Sequence, residues 1–574
     1  MYNQKIAELF EEIADMLALD PKDRKFEVLA YRKAAQTIEG LQEDLADIYK
    51  RGGTAALQEL PGIGKSTSEH IKEYIETGKI PKYEELKKKY PIDFNTLTKI
   101  QGVGAKRVFK LYQVLKIKNI EDLKKAVEKH KIRNIEGFGE KSEEEIGKGI
   151  TQFEGSKGRM LLGMALPEAE SIAKKLNDSG LVDRAVIGGS TRRMKETVGD
   201  LDILVTSKKA ERVMDFFTGL NEVERVIVKG PTKTTVLLKI GLTCDVRVLD
   251  DKSFGAALQY FTGNKDHNVR LREIAIKKGY KLNEYGLFDR REKSVAGRTE
   301  EEVYKKLGMD LMPPEMRENR GEIDLAIKHA LPKLIEIGDV KGDLHVHTNH
   351  SDGTDSLMDM ATAAKKRGLE YIGISDHSKS EYIAGGMDDK EFAKHLDEIE
   401  KFEGKVSGLK VLKSAEIDIL KDGSLDLSNK TMDRMDYRLA SIHTSLTMGK
   451  EEMTKRVIKA FETGYVSIWA HPTDRLIGER SPISVDLDKV FQSAKDNNVV
   501  IEIDASPERL DLNDENIFKT RQYGLKFSID TDSHATSNYQ FLRYGVGMAR
   551  RGWLTKSDVV NAMGCDKLVK YFKR

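Results

Sequence analysis

The stretch Gly188-Gly189-Ser190-Thr191-Arg192-Arg193 … Gly199-Asp200-Leu201-Asp202-Ile203-Leu204-Val205 decides how the first half of the chain reads. Ala185-Val186-Ile187, just before it, is a short apolar run with strand character. Glycine has no Cβ, so the Gly-Gly-Ser turn lets the backbone approach another group closely. Leu201, Ile203 and Val205 alternate with Asp200 and Asp202, and on a strand that period sets both carboxylates on one face. Carboxylates held that close repel unless a cation lies between them. Mg²⁺ takes oxygen ligands and fills its remaining positions with phosphate oxygens and water. A serine–arginine turn followed by an Asp-x-Asp strand therefore predicts a place for a nucleoside triphosphate and its metal ions.

At 574 residues the chain is too long for one core, and three to five domains are expected. No run approaches the roughly 18 apolar residues of a membrane span. Residues 1–10 lack the apolar centre of a signal peptide. Two cysteines, Cys244 and Cys565, argue against a disulfide framework and for the cytoplasm. The net charge of +2 hides an asymmetry: residues 1–334 carry 61 Lys and Arg against 54 Asp and Glu, the rest 35 against 40. The first part suits a polyanion. The second holds 8 of the 12 histidines, which suits metal ions.

Residues 1–150 read as helices, with Ile6, Leu9, Ile13, Met16 and Leu17 at helical spacing. A pattern of apolar-x-Gly-apolar-Gly occurs three times, carrying Gly62 and Gly64, Gly102 and Gly104, and Gly137 and Gly139. Each opens a helix, where free backbone N–H groups and the dipole suit a phosphate. Three copies resemble helix-hairpin-helix motifs, which grip the DNA backbone without reading sequence. Further on, Thr235–Leu238 and Cys244–Leu249 read as strands, and Asp245 is expected beside Asp200 and Asp202.

With Tyr260-Phe261-Thr262-Gly263 added, residues 1 to about 320 resemble a family X DNA polymerase of the polymerase beta type. The resemblance implies an N-terminal DNA-binding domain over 1–85, a helical fingers-side subdomain over 86–150, a nucleotidyltransferase palm over 151–250 and a nucleotide-binding subdomain over 251–320. It makes Asp200, Asp202 and Asp245 catalytic ligands of two Mg²⁺ ions that activate a primer hydroxyl and stabilise pyrophosphate. It also gives Gly189, Ser190 and Arg193 to the phosphates, Tyr260, Phe261 and Gly263 to the sugar, Asn268 to the base edge and Arg272 to the template side. Two positions depart from the family. Asn264 stands where serine is frequent, and His70 stands where lyase-competent relatives carry a Schiff-base lysine, with Lys72 two residues on.

Residues 321–340 are expected as a linker, punctuated by Pro332 and Gly338. Beyond it, seven strand-like runs alternate with amphipathic stretches such as 357–366 and 453–461, which predicts a distorted (βα)₇ barrel over 341–574. His345, His347, His377, Glu416, His443, His471, Asp532 and His534 fall at the C-terminal ends of these runs, the chemical face of such barrels, and Asp352 follows in a turn. Imidazoles mixed with carboxylates suit two or three Zn²⁺, Mn²⁺ or Fe²⁺ ions. His350 and His395 are assigned to structure or surface, and Arg438, Arg475 and Lys413 are weaker candidates for substrate phosphates. This half resembles a PHP (polymerase and histidinol phosphatase) domain, with all nine ligand positions filled. That resemblance implies 3′–5′ exonuclease activity and admits 3′-phosphatase or abasic-site endonuclease activity.

The expected protein is multidomain, α/β and α+β, with a helical N-terminal region, a palm and a C-terminal barrel. The expected function is a monomeric, cytoplasmic repair polymerase that fills short gaps in nicked or gapped DNA with dNTPs, without a membrane, and trims 3′ ends in the barrel. Two rivals are a non-templated nucleotidyltransferase, which the three hairpins disfavour, and a polymerase whose barrel is only structural, which the complete ligand set disfavours.

Overall fold

The computed structural model describes residues 2–18, 24–41, 44–98, 100, 103–156 and 158–573. The helices from Tyr2–Leu17 to Glu140–Ser156 share one apolar core that includes Phe10, Ile71, Leu86, Leu111, Leu123 and Ile146. Gly62 and Gly137 take φ of +72° and +83°, where an L side chain is strained. Gly64 and Gly104 cap the N-termini of Lys65–Thr77 and Ala105–Leu115, and Gly139 directly precedes Glu140–Ser156. Gly102 lies outside the described residues. His70 meets the Tyr31 hydroxyl at 3.1 Å, and Lys72 pairs with Glu69 at 3.2 Å.

A five-stranded sheet follows. Its strands are β1 (Arg184–Ile187), β2 (Asp200–Thr206), β3 (Val223–Lys229), β4 (Lys233–Leu238) and β5 (Thr243–Leu249), in the order β1-β2-β5-β4-β3. Helix Leu162–Asp178 buries Leu162, Ala165, Ala169, Ile172 and Leu176, spaced at three and four residues, in the same apolar cluster as Leu201, Ile203 and Val246. β2 and β5 are parallel, and Asp202 faces Asp245 in the register. The Gly-Gly-Ser stretch is not a simple turn but opens a short helix, Gly189–Arg192.

Helices Phe254–Thr262 and Lys265–Lys277 pack with a three-stranded antiparallel sheet around Ala256, Leu271, Leu287 and Tyr304. The expected linker 321–340 is instead largely built in. Helix Glu322–Ile327 places Ile323 and Ala326 in that core, and the Ile335 N–H donates to the Leu554 carbonyl at 2.9 Å. Apolar side chains at helical spacing outweighed the punctuation of Pro332 and Gly338.

The barrel strands are β6 (Gly342–Val346), β7 (Tyr371–Ile374), β8 (Lys410–Lys413), β9 (Glu416–Asp418), β10 (Leu439–Ser441), β11 (Ile468–Trp469), β12 (Val500–Asp504) and β13 (Phe527–Asp530). All run parallel, as sheets β6-β7-β8 and β9-β10-β11-β12-β13. The run expected as one strand at 411–416 is broken at Ser414-Ala415 into β8 and β9. Single bridges, His377 to Glu416 and Val346 to Ser533, join the two sheets into a closed, distorted ring. Leu344, Tyr371, Leu412, Leu439, Ile468 and Val500 form one apolar cluster. Gly373 leaves room for Tyr437, whose hydroxyl donates to the Leu344 carbonyl. The apolar cluster of Leu162–Asp178 continues without a break into the barrel's Ile372, Trp469, Ile529 and Met548. Among the described residues no helix is long and apolar enough to cross a membrane.

Helix Phe254–Thr262 is held by backbone contact: a Cβ on Gly255 would overlap the backbone of Thr299, and Ala256 N–H donates to Gly297 at 2.9 Å. Backbone cannot step aside as a side chain can. Gly255→Ala is therefore expected to destabilise this region by at least the ~1–3 kcal/mol of ordinary overpacking. A thermal melt with no shift would show that the close approach is not required.

Candidate active sites

In the first site, neighbouring strands bring the three aspartates together. Asp200 is exposed and Asp202 and Asp245 are half-buried. Asp245 is fixed by Thr235 Oγ1 at 2.5 Å, Lys233 Nζ at 2.8 Å and Arg247 Nη2 at 3.1 Å. Arg247 in turn lies 4.4 Å from the Phe261 ring centre. Among the described residues no cation pairs directly with Asp202, although Arg247 and Lys233 lie near enough to favour its charge. Burial, then the charges of Asp200 and Asp245, push it from 3.8 to about 6. Gly189 (φ +64°) sits so close that a Cβ there would come within 2.7 Å of Asp202 Oδ2. A carboxylate trio with one member held near neutral pKa is a fit for a divalent cation.

A cavity of about 650 Å³ opens beside these carboxylates. Gly189, Ser190, Arg193, Tyr260, Phe261, Gly263, Asn268 and Arg272 all line it, as do Arg159, Lys195 and Lys265, which the sequence reading missed. Arg193 donates through Nε to Glu318 at 3.1 Å and through Nη1 to the Thr262 carbonyl. Asn268 is engaged internally: its Oδ1 accepts from Gln259 at 2.7 Å and its Nδ2 donates to the Tyr260 carbonyl at 2.7 Å. Asn264 caps helix Lys265–Lys277, accepting from the His267 N–H at 2.8 Å, and its Nδ2 reaches Glu318 at 2.7 Å.

The second site lies at the C-terminal mouth of the barrel and gathers all nine expected ligands. Glu416 is at its centre, with His345, His377 and His443 nitrogens at 3.2 Å, His347 at 3.4 Å and His471 at 2.7 Å. Asp532 Oδ1 lies 3.2 Å from His347 and 3.4 Å from His345. Asp352 Oδ2 lies 3.3 Å from His534 and 3.5 Å from His377. These atoms fall into overlapping groups: His347, Asp352, His377 and His534; His345, His347, Glu416 and Asp532; His377, Glu416 and His443. Buried ring nitrogens of His345, His347, His377 and His471, with Asp532 Oδ1, have no hydrogen-bond partner. Such atoms are costly without one, and cations would satisfy them. Burial favours a neutral Glu416, yet His377, His345 and His443 hold it well below the carboxylate range. Burial also opposes charge on His534, but Asp352 and Asp532 raise it to about 10.

Glu502 was missed by the sequence reading. It is fully buried on β12 and accepts from the His471 N–H at 2.5 Å, with Oε1 2.7 Å from His345 Nδ1. The signal was a carboxylate inside the apolar run 499–503. Glu381 and Asp418 also flank His443. His395 braces Asp376 at 2.9 Å and His350 pairs with Glu398 at 2.8 Å. The weaker phosphate candidates are occupied elsewhere: Arg438 on the Tyr465 carbonyl, Lys413 near Glu400 and Arg475 on Glu196.

Family models match at four places: a helix-hairpin-helix domain over 1–80, a SAM-like helix-hairpin-helix tandem over 94–149, the DNA polymerase beta thumb over 257–318 and the PHP domain over 343–506. The chain is 35% identical to the DNA polymerase/3′-5′ exonuclease PolX of Bacillus subtilis, across 100% of both chains. It is 27% identical to the DNA polymerase lambda of Arabidopsis thaliana over 55% of this chain and 62% of that one. A probable phosphatase of Clostridium acetobutylicum is 28% identical over 33% of this chain and 78% of its own.

Two outcomes follow from these geometries. Asp202 binds its proton more tightly folded than unfolded, so its contribution to stability falls as pH rises from 3.8 through 6. Asp202→Asn should therefore melt higher than wild type in EDTA at pH 7.5, with the gap closing towards pH 4; a pH-independent gap would contradict this. Glu502→Gln removes the carboxylate beside His345 Nδ1 and should weaken divalent-ion binding in the barrel about 10–100-fold. Calorimetric metal titration reads this directly, and an unchanged affinity would leave Glu502 without that role.

Proposed function

The chain belongs to the family of the DNA polymerase/3′-5′ exonuclease PolX, and from that membership we propose a repair enzyme with two separate chemical centres. It is a DNA-directed DNA polymerase and a metal-dependent phosphoesterase, and its substrates are DNA and dNTPs. In this reading it acts as a cytoplasmic monomer on short gaps and nicks. The register of Asp202 against Asp245, beside a cavity lined by Ser190 and Arg193, is the observation that most supports synthesis at the sheet.

Divalent ions, two Mg²⁺ at the sheet and two or three Mn²⁺, Zn²⁺ or Fe²⁺ in the barrel, supply nucleophile activation and charge neutralisation when bound. The protein does the rest. Asp200, Asp202 and Asp245 hold the reacting oxygens' side of the pocket. Ser190 and Arg193 bind the triphosphate tail, Arg193 as a fixed fork. Tyr260, Phe261 and Gly263 bound the sugar, and Arg272 faces the template. Asn268 meets the base edge after giving up one internal hydrogen bond. In the barrel, His345, His347, Asp352, His377, Glu416, His443, His471, Asp532 and His534 would hold the ions that meet the phosphodiester, and Glu502 sets the His345 tautomer. The hairpins that carry Gly62 and Gly64, Gly104, and Gly137 and Gly139 are read as three contacts with DNA phosphates, which suits a gapped duplex rather than a sequence; the Gly64 N–H itself donates to Thr67 Oγ1 at 2.9 Å. Trimming beside synthesis lets a blocked 3′ end become a hydroxyl before extension.

A labelled primer on a one-nucleotide-gapped duplex tests the separation. Asp200→Ala/Asp202→Ala should abolish gap filling and leave primer shortening intact, and His345→Ala/His347→Ala should do the reverse. Loss of each activity is expected to exceed about 100-fold, the scale of removing one preorganised charge-stabilising group. Extension by the aspartate variant would overturn the assignment at the sheet. Undiminished shortening by the histidine variant would overturn that in the barrel.

A further inference from the structure

Arg551 is the last residue of helix Leu542–Arg551, in the barrel half of the chain. Its side chain is 0% exposed. Nη1 donates to the Arg193 carbonyl at 2.7 Å and to Glu318 Oε1 at 3.0 Å, and Nη2 donates to Asp514 Oδ2 at 2.8 Å. Glu318 is thereby a meeting point. Its Oε1 also accepts from Arg193 Nε and its Oε2 from Asn264 Nδ2. Burial alone would raise the Glu318 pKa, but Arg551 and Arg193 hold it below the ordinary range, so it stays charged. The same helix presses on the residue after Arg193: a Cβ on Gly547 would come within 2.7 Å of Met194 Cε. Asp514 Oδ2 also accepts from Arg320 Nη2 at 2.9 Å.

We propose that Arg551 is a positioning residue of the polymerase: from the barrel it fixes Arg193 for the triphosphate. It acts on the Arg193 backbone directly and on the guanidinium through Glu318. With Nε on Glu318 and Nη1 on the Thr262 carbonyl, Arg193 has no hydrogen-bond partner on Nη2 among the described residues, and its side chain lines the cavity where a phosphate would sit. Without Arg551, Glu318 loses one of the two guanidinium groups bonded to it among the described residues, and the Arg193 carbonyl loses the donor Nη1. Arg193 then has to be ordered by the incoming nucleotide, and that cost appears in nucleotide affinity. The barrel thus completes the nucleotide pocket, apart from any hydrolysis of its own. This rests on the reading of Arg193 as a triphosphate ligand.

The test uses the full chain on one-nucleotide-gapped DNA, with KM for dNTP, kcat, 3′-end shortening and thermal melts measured together. Arg543→Ala is the control: it breaks a second pair between the same two parts of the chain, Arg543 with Glu170 at 2.7 Å, and Arg543 does not line the nucleotide cavity. Arg551→Ala should raise KM about 10-fold or more, the scale of a lost charged hydrogen bond, with kcat and shortening within about twofold. Arg551→Lys, which keeps the charge but not the fork, should recover part of the affinity. Arg543→Ala should leave KM unchanged. Should Arg551→Ala fail to fold, Arg551→Lys and the near-isosteric Glu318→Gln carry the same KM readout. An unchanged KM in the folded variants, or an equal rise in Arg543→Ala, overturns the proposal. If Arg193→Ala raises KM and the Arg551 and Glu318 variants do not, the positioning role alone is wrong. If Arg193→Ala leaves KM unchanged, the phosphate reading beneath it is wrong as well.

Discussion

Repulsion between like charges is the constraint this molecule is built around. Asp200, Asp202 and Asp245 crowd on two neighbouring interior strands of one sheet, and Glu416 with Asp352 and Asp532 crowd at the mouth of the barrel. The two places meet the constraint differently. At the sheet, Lys233 and Arg247 neutralise Asp245 while Asp202 stays high, so part of the repulsion persists until cations arrive. In the barrel, six imidazoles surround the carboxylates and hold them charged by pairing. Rigid parallel strands are what make either arrangement tolerable, because strand ends move little.

The same logic explains the joint between the halves. Arg193, Glu318, Arg551, Asp514 and Arg320 alternate in charge through a largely buried seam. Buried ion pairs lose hydration and contribute little net stability, but breaking one leaves an uncompensated charge. Such a seam specifies one docking geometry more than it strengthens it. The continuous apolar cluster from Leu162–Asp178 into the barrel supplies the attraction.

Much of this was legible in order along the chain. The alternation of Leu201, Ile203 and Val205 with Asp200 and Asp202 encodes one strand and its acidic face in five residues. The candidate ligands of the barrel were legible because eight of the nine fall at the ends of apolar runs, with Asp352 in the turn after one. What escaped was set by contacts distant in sequence. Glu322–Ile327 reads as a spacer until Leu271 and Tyr304 cover its apolar side. The break between β8 and β9 falls at Ser414-Ala415, inside a run whose local pattern reads as one strand. Strand β3 is mostly exposed and lacks the alternation that marks a half-buried strand.

The sequence by itself determined the two chemistries, the barrel class and which residues are the candidates for metal binding. Those depend on residue type at short spacing, and the periods of strand and helix are local properties of the backbone. Only the tertiary structure decided the parallel register that sets the expected neighbour Asp245 directly against Asp202, that Glu416 is the shared centre of the barrel cluster, and that Asn268 and Asn264 are engaged internally. It alone brought Arg551 to Arg193, 358 positions earlier. Side-chain charges act through space, over a few ångströms in a buried seam, and the chain order between them does not enter Coulomb's law.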